Sequence, residues 1–243
     1  MDWVLSHLDE IRTLTVAHIG LTVPAILLGF LVSVPLGYLA SRWRPAQAVL
    51  LTLGNILYTI PGIALVVLVP VALGLAILNP LNVVIALLIY AVAIMIRSAA
   101  DAFASVSPDV RQSASAQGFS PAQRFWRVEL PLAGPVLLAG IRVVSVSTVS
   151  LATVGALVGI PSLGNLFTDA FQRQFPLEAV VGLIAVIVLA AVFDVVLSLI
   201  GRALMPWNRG GDPRGRSRAR LEALPVEALP VEALPVEHGT QVR

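Results

Sequence analysis

The longest uncharged stretch of the chain is residues 45–96, PAQAVLLTLGNILYTIPGIALVVLVPVALGLAILNPLNVVIALLIYAVAIMI, which contains 52 residues without Asp, Glu, Lys, Arg or His. A charged side chain at the centre of a bilayer costs a few kcal/mol or more, so uncharged stretches of this length indicate membrane spans. A helix needs about 20 residues to cross the hydrocarbon. The stretch therefore fits two spans joined by a turn, and Asn79-Pro80 is its best turn signal.

The same criterion predicts three further spans. Residues 13–41 are uncharged apart from His18 and hold one span, over about 18–40. Residues 143–168 form most of a fourth span, and residues 179–201 contain only Asp194 and form a fifth. The predicted fold is therefore all-α, a polytopic membrane helix bundle with about five transmembrane helices.

Composition supports a chain that is dissolved in lipid. Of the 243 residues, 57% are apolar and only 12% are charged, whereas about a quarter of the residues of a soluble domain are charged. The mean hydropathy of +0.89 agrees. A water-soluble enzyme and a disordered chain are both poor fits to these values.

Three reactive residue types are rare or missing. The chain has no cysteine and no lysine, and its three histidines are His7, His18 and His238. This excludes thiolate and Schiff-base chemistry and the lysine of a P-loop, and it leaves too few histidines for a triad or a multi-histidine metal site. We expect no catalytic residue, cofactor or metal in this chain, and no nucleic-acid partner.

The arginines segregate by side when the five spans are drawn with the N-terminus outside. Cytoplasmic segments carry an excess of Arg and Lys. The outer side then receives only Arg12 and Arg173. The inner side receives the remaining basic residues outside the spans: Arg42, Arg44, Arg97, Arg111, Arg124, Arg127, Arg202 and those of residues 209–220. Three spans in residues 45–96 would destroy this segregation. We predict a multi-pass protein of the cell (inner) membrane with its C-terminus in the cytoplasm.

The prediction divides the chain into three parts. They are an extracytoplasmic segment at 1–14, a transmembrane domain at 15–207 and a low-complexity cytoplasmic tail at 208–243. In the tail, residues 209–220 are basic, which favours attraction to anionic membrane lipid. Residues 222–236 repeat EALPV three times. The repeat fits either a solvated tail or a tail that binds a partner.

A polar segment at residues 101–131 carries two helix starts on the predicted cytoplasmic side. Ser107-Pro108-Asp109 places an N-cap serine before a proline and an acidic residue, and Gly118 is the natural stop of that helix. Ser120 and Gln123 have the spacing of a capping box, which predicts a second helix ending near Leu130-Pro131. Two short helices around a glycine corner would form a compact projection.

The segment also carries a spaced motif. From Gln112 it has the form Q-S-A-x3-G-x9-V-x-L-P, with its fixed positions at Gln112, Ser113, Ala114, Gly118, Val128, Leu130 and Pro131. This resembles E-A-A-x3-G-x9-I-x-L-P, the cytoplasmic loop signature of permease subunits of binding-protein-dependent ABC importers. Gln112 replaces the usual Glu, and Ser113 replaces the first Ala. The loss of the Glu carboxylate affects one polar contact to the ATPase, although Gln still donates and accepts hydrogen bonds.

The resemblance extends over about residues 15–205. Residues 58–65 look like the start of a pore-lining stretch, and residues 88–97, 139–142 and 161–165 follow in the family's order. Together they look most like the osmoprotectant branch, permeases for glycine betaine, choline or carnitine. A permease for methionine or another small metabolite is the near alternative, and a non-transporting membrane assembly protein is a third.

The resemblance implies a fold like that of type I ABC importer permeases, and it implies partners. The loop would dock on a cytoplasmic ATPase subunit through residues 112–118, and a second permease subunit would complete the pathway. An extracytoplasmic binding protein would hold the substrate. Quaternary ammonium ligands are held by aromatic rings, and only 6% of these residues are aromatic, so the high-affinity site is expected on that partner.

Two intramembrane features remain as functional candidates. Arg142 and Asp194 are expected at similar depth and could pair, although Arg142 could instead reach the inner headgroups. Pro61 and Gly62, with Pro70, interrupt the second span. They would form either a packed kink or an irregular stretch facing the pathway.

An aromatic stripe is a third candidate. Phe167, Phe171 and Phe175 repeat at helical spacing on the predicted outer side. Such a stripe serves core packing or, in a transporter, seals the path or faces a binding protein.

Overall fold

A computed structural model describes residues 2–207, and all the regular elements in that range are helical. The helices are α1 Asp2–Ser6, α2 Leu8–Arg42, α3 Arg44–Thr59, α4 Gly62–Leu73, α5 Pro80–Ala104, α6 Pro108–Ala116, α7 Pro121–Arg124, α8 Leu130–Ala152, α9 Asn165–Arg173 and α10 Pro176–Leu204. A π-helical turn, Phe125–Glu129, joins α7 to α8, and a 3₁₀ turn, Thr153–Val158, follows α8. The compact bundle ends at Met205. The basic and EALPV segments of the tail lie outside the described residues.

The expected all-α bundle of about five spans is confirmed. Four helices of the described range are long and apolar enough to cross a membrane: α2, α5, α10 and the continuous helix over residues 121–158. The bent pair α3 and α4 makes a fifth span when counted as one. The predicted turn at Asn79-Pro80 is the end of the connection between α4 and α5: the Asn79 side chain accepts the Leu81 N–H at 3.0 Å, and Pro80 occupies the first helical position of α5.

The predicted end of the fourth span is wrong. The helix begins well before residue 143, so residues 143–158 form only its second half, and it ends at Val158, not at Thr168. Arg142 lies within the helix, where it pairs with a carboxylate on α10. At the C-terminal end, Gly159 with φ of +80° and the following Pro161 stop the helix.

The second predicted helix of the cytoplasmic segment also does not end near Leu130-Pro131. It continues through the π-helical turn, in which the Leu130 N–H bonds to the Phe125 carbonyl five residues back. Pro131 has no N–H to donate. A proline is tolerated in the first turn of an α-helix, where its N–H would have no partner within the helix, and Pro131 lies in the first turn of α8. The chain therefore enters α8 without a break.

The second span bends sharply at Pro61. The axes of α3 and α4 meet at 104°. A residue before proline avoids the helical region, and Ile60 is accordingly extended with ψ of 129°. The Tyr90 hydroxyl on α5 donates to the Ile60 carbonyl, which holds the bend in place.

Small residues bring α2 and α5 into close contact. Gly29, Ser33 and Gly37 repeat every four residues on one face of α2. A Cβ atom added to Gly29 would lie 2.6 Å from the Cβ of Ala91, and one added to Gly37 would strike the backbone of Ala99. Close backbone approach of this kind is how membrane helices gain packing energy.

His18 on α2 binds the C-terminal part of α8 and the turn that follows it. Its ring is fully buried, and Nδ1 accepts the Leu163 N–H at 3.2 Å. Nε2 therefore carries the proton and donates to the Val149 carbonyl at 2.9 Å. The turn at residues 161–165 is thus fixed both by His18 and by its own Asn165, whose side chain accepts the Ser162 N–H at 2.9 Å.

Candidate functional site: a paired-helix loop and a polar cleft

The paired-helix loop, residues 107–129, starts both of its helices as the sequence predicts. Ser107 Oγ accepts the Asp109 N–H at 3.2 Å at the start of α6. Ser120 and Gln123 form a complete capping box: Ser120 Oγ accepts the Gln123 N–H at 3.3 Å, and Gln123 Oε1 accepts the Ser120 N–H at 2.9 Å. The side chains of the loop therefore encode both starts locally.

Gly118 forms the corner between the two helices. Its φ of +84° lies in the left-handed region that glycine adopts at little cost. The Phe119 N–H bonds to the Ala114 carbonyl at 3.2 Å and the Gly118 N–H to that of Ser115 at 3.0 Å. These two bonds are a Schellman cap, which ends α6 and sets the direction of α7.

The motif residues divide between the surface and the interior of the loop. Gln112, Ser113 and Gly118 are exposed, whereas Ala114 is buried. Val128, Leu130 and Pro131 are half-buried. A shallow groove of about 320 Å³ joins the two helices, and its lining includes Ser113, Ala114, Gln117, Phe119 and Val128. The motif thus brings α6 and the π-helical turn together around one open concavity.

An ionic cluster that the sequence did not predict lies beneath the loop, and we call it the loop-root cluster: Arg42, Ser115, Arg124 and Glu129. Glu129 is 0% exposed, and its carboxylate accepts from Arg42 Nη2 and, at 2.9 Å, from Arg124 Nε. Arg124 Nη1 also donates to Ser115 Oγ at 2.7 Å. One signal was present: Glu129 is the only acidic residue between Asp109 and Asp169, in a segment that contains four arginines.

Aromatic packing surrounds the loop-root cluster. The ring of Tyr38 on α2 lies 5.2 Å from that of Phe103 on α5 and 4.7 Å from that of Phe125 in the π-helical turn, both edge to face. Phe103 is fully buried. The loop is therefore seated on α2 and α5 by apolar as well as ionic contacts.

Arg142 and Asp194 lie in contact across α8 and α10. Arg142 Nε donates to Asp194 Oδ1 at 2.6 Å and Nη2 to Oδ2 at 2.7 Å, a bidentate pair. Asp194 lies about 15 Å from the Leu204 end of α10 and Arg142 about 18 Å from the Leu130 end of α8, at 1.5 Å per residue. Arg142 thus pairs with a carboxylate far from the ends of both helices.

The ion pair stands in the wall of an open cleft. Its side chains are 40% and 34% exposed, respectively, and the cleft beside them has a volume of about 400 Å³. An ion pair that faced lipid at this depth would be unfavourable. This face of α8 is therefore expected to meet water or another protein chain.

A second open cleft, of about 580 Å³, continues along the same face of α8. It shares Val146 and Ser147 with the first cleft and reaches Ser150. Its opposite wall is the bend between α3 and α4 together with Tyr90 of α5; the residues of the bend are Tyr58, Thr59, Ile60, Pro61 and Gly62. The structure therefore places Pro61 and Gly62 opposite Ser147 and Ser150 of α8.

The predicted phenylalanine stripe does not form. Phe167 is half-buried and lies beside Gly182 of α10, whereas Phe171 is 85% exposed. Helix α9 ends at Arg173, and Gln174 has φ of +51°, so the chain turns before Phe175. Phe175 instead packs against Trp3 at 5.8 Å between ring centroids. Neither Phe167 nor Phe171 lines the two clefts.

Comparisons with known proteins agree with this architecture. A family described as "Binding-protein-dependent transport system inner membrane component" matches residues 13–210. The chain is 30% identical over 197 residues to the choline transport system permease protein OpuBB of Bacillus subtilis (strain 168), a match that covers 81% of this chain and 89% of the relative. It is 26% identical over 206 residues to the glycine betaine/carnitine/choline transport system permease protein OpuCB of the same organism, over 85% and 94% of the two chains.

Among solved structures, the fold is similar to a chain of the inward-facing MetNI methionine ABC transporter. The TM-score is 0.68 at 21% sequence identity, over 81% of this chain and 98% of that one.

Proposed function

Because the chain belongs to the family of inner membrane components of binding-protein-dependent transport systems, we propose that it is the permease subunit of an ATP-driven ABC importer for an osmoprotectant such as glycine betaine, choline or carnitine. The observation that carries the proposal is the paired-helix loop. Its motif residues are spaced as in importer permeases, and they fold into an exposed two-helix projection on a bundle of apolar helices.

A separate ATPase subunit supplies the energy in this proposal. The family component is a membrane part of a transport system, and this chain has no lysine for a P-loop. Gln112, Ser113 and Gly118 are exposed at the loop and would contact the ATPase. Closure of two ATPase subunits would then move the loop and shift the bundle between inward-open and outward-open states.

The orientation follows from the arginines. The paired-helix loop and the tail at 208–243 would lie in the cytoplasm, with residues 1–14 outside and residues 15–207 as the permease domain. The end of the bundle at which Phe171 of α9 is exposed would face the extracytoplasmic binding protein. The arginines of residues 209–220 would lie near the anionic inner surface of the membrane.

A second permease subunit would cover the polar face of α8. Five spans are too few to enclose a path for a solute, and the clefts along Arg142, Ser147 and Ser150 are open in a single chain. Another copy or a related chain placed on this face would enclose them. The bend at Pro61 and Gly62 would then form part of the pathway wall.

The substrate class rests on the relatives and on one feature of the cleft. The relatives named above transport choline, glycine betaine and carnitine. The exposed ring of Tyr58 lies 6.1 Å from that of Tyr90, edge to face, in the wall of the larger cleft. Aromatic faces attract quaternary ammonium groups. One pair of rings would contact a solute of this class as it passes, but it would not surround the solute as a high-affinity site does.

ATP-driven uptake into proteoliposomes tests the proposal. The chain is reconstituted with a candidate ATPase and binding protein, and uptake of choline, glycine betaine and carnitine is compared with uptake of methionine. We expect ATP-dependent uptake of at least one quaternary ammonium solute and none of methionine. Uptake of methionine alone would favour the metabolite permease, and failure to associate with any ATPase would favour the assembly protein.

Gly118 provides the matched pair of variants for that assay. Gly118→Val places a β-branched residue at φ of +84°, whereas Gly118→Asn places a residue that tolerates this conformation, and no atom lies within 4 Å of an added Cβ. We expect uptake to fall in Gly118→Val and to be largely retained in Gly118→Asn, with nucleotide binding by the ATPase unchanged in both. Equal uptake by the two variants would contradict a coupling role for this corner.

A further inference from the structure

The loop-root cluster connects the paired-helix loop to α2 through a single ion pair. We infer that Arg42 and Glu129 form the joint that passes movement of the loop to α2, with Arg42 as a positioning residue for transport. The inference rests on the proposed function, because it needs an ATPase to move the loop. It names the place where that movement enters the membrane helices.

Helix α7 binds the carboxylate of Glu129 directly through Arg124, and α6 is connected to it through the same arginine. The π-helical turn that follows α7 ends at Glu129, and Arg124 at the end of α7 donates to it at 2.9 Å. The same guanidinium donates to Ser115 of α6 at 2.7 Å. Displacement of either helix therefore displaces the same buried carboxylate.

Arg42 carries the connection across to α2. It is the last residue of α2, and its Nη2 donates to both oxygens of Glu129. Its guanidinium is held in direction by Tyr38, whose ring centroid lies 5.1 Å from Cζ and whose hydroxyl accepts from Nη2 at 3.3 Å. The contact is thus fixed at the very end of the helix.

Movement of this end would reach the far side of the bundle. Helix α2 has 35 residues and a length of about 52 Å at 1.5 Å per residue. His18 lies 24 residues before Arg42, about 36 Å along the helix, and it holds the Val149 carbonyl and the Leu163 N–H. Helix α2, which contains Pro24 and Pro35, therefore links the loop at one end of the bundle to the turn at residues 161–165 at the other.

The ion pair between Arg42 and Glu129 resists sliding of the loop against the end of α2. The aromatic contacts of Tyr38, Phe103 and Phe125 also hold α2 to the loop, but apolar contacts have little directional preference. A fully buried carboxylate that loses its cationic partners is left with an uncompensated charge. The loop and the end of α2 are therefore expected to move as one unit.

The test compares two neighbouring arginines in the complete complex of permease, ATPase and binding protein in proteoliposomes. Arg42→Gln breaks the link to α2, but it leaves Glu129 paired with Arg124, so the fold is kept. Arg44→Gln removes the same charge two residues away, on an exposed side chain, and controls for membrane orientation. Arg42→Lys restores a positive charge at the joint.

The joint would carry movement of the loop to α2 and movement of α2 to the loop, so Arg42→Gln should weaken signals in both directions. We expect association with the ATPase and basal ATP hydrolysis to stay within about twofold of the unmodified complex. Stimulation of hydrolysis by the liganded binding protein, and uptake, should both fall about tenfold. Arg44→Gln should behave as unmodified, and Arg42→Lys should recover part of the uptake.

Two results would overturn the inference while leaving the proposed function intact. One is uptake by Arg42→Gln within about twofold of the unmodified complex. The other is a parallel loss of ATPase association and basal hydrolysis, which would mark the cluster as purely structural. If the unmodified chain itself does not associate with an ATPase, the proposed function fails instead.

A distance measurement tests the rigid joint directly. The chain has no cysteine, so spin labels can be placed at Leu39→Cys on α2 and Ala116→Cys on α6, both at exposed positions. The distance between them should be sharply distributed and the same with and without trapped nucleotide, and it should broaden when Arg42→Gln is added. A distance that changes with nucleotide while Arg42 is present would contradict the inference.

Discussion

His18 illustrates how one buried polar residue can tie distant parts of the chain together. Its two ring nitrogens satisfy a carbonyl 131 residues away and an N–H 145 residues away. A buried backbone group that loses its partner carries a desolvation penalty of about 1–3 kcal/mol. The imidazole therefore stabilises the end of the bundle opposite the paired-helix loop by satisfying two backbone groups at once.

His18→Ala is expected to destabilise the protein by about 2–5 kcal/mol, because it leaves two buried backbone groups unsatisfied and opens a cavity. Thermal unfolding of the purified protein in detergent measures the change. His7→Ala is the control, since His7 lies in the short N-terminal segment and is only half-buried. A similar melting temperature for His18→Ala and His7→Ala would contradict the assigned role.

The Arg142–Asp194 pair gives a second prediction at this scale. Arg142→Gln or Asp194→Asn alone leaves an unpartnered charge among apolar helices, so each single variant should melt at a lower temperature. The double variant removes both charges, and its loss should be smaller than the sum of the single losses. Additive losses would indicate that the two side chains do not depend on each other.

Single residues were predicted well where their partners are close in the sequence. Ser107, Ser120 and Gln123 cap helices within three residues of themselves, so their roles could be predicted from spacing. Glu129 has one local partner, Arg124, five residues before it, and its position among arginines in the sequence was a usable signal. Its contact with Arg42 spans 87 residues, and those of His18 span 131 and 145 residues. Local patterns do not predict contacts at such separations.

At the scale of elements, the packing of α2 on α5 depends on residues without bulk. Gly37 lies so close to α5 that an added Cβ would meet the backbone of Ala99 and Ala100. Gly20 lies on the same helix, and an added Cβ there would meet nothing within 4 Å. Both glycines therefore lie on α2, but only Gly37 packs closely against α5.

Gly37→Leu is expected to force α2 and α5 apart and to cost about 3 kcal/mol or more, beyond ordinary overpacking because backbone atoms cannot yield. Gly20→Leu should change stability by less than about 0.5 kcal/mol. Melting temperature and the yield of monodisperse protein in detergent measure both effects. A well-folded Gly37→Leu would show that the interface is looser than the structure indicates.

The number of spans was predictable, but their ends were less so. Uncharged length located five apolar segments correctly, since the cost of a bare charge in lipid is large. The same criterion misplaced the end of the fourth span, because residues 159–168 are uncharged but Gly159 and Pro161 stop the helix before them. It could signal an interruption at Pro61, but not the 104° angle, which depends on Tyr90 of α5.

At the scale of the whole molecule, the direction of the chain in the membrane is open to direct test. Thr13→Cys near the N-terminus and Ala116→Cys in the paired-helix loop are exposed positions in a chain without cysteine. A membrane-impermeant maleimide should label Thr13→Cys in intact cells, and Ala116→Cys only after permeabilisation. The opposite pattern would place the loop outside and exclude contact with a cytoplasmic ATPase.

The π-helical turn at Phe125–Glu129 has a consequence for how the loop is aimed. Such a turn contains one residue more than an α-helical turn. Deletion of Trp126, which is exposed, would restore the α-helical repeat and rotate everything before it by about 100° around the axis of α8. The extra residue thus fixes the rotation of the paired-helix loop about the axis of α8. Insertions or deletions at this point keep that rotation only when they add or remove nearly whole helical turns.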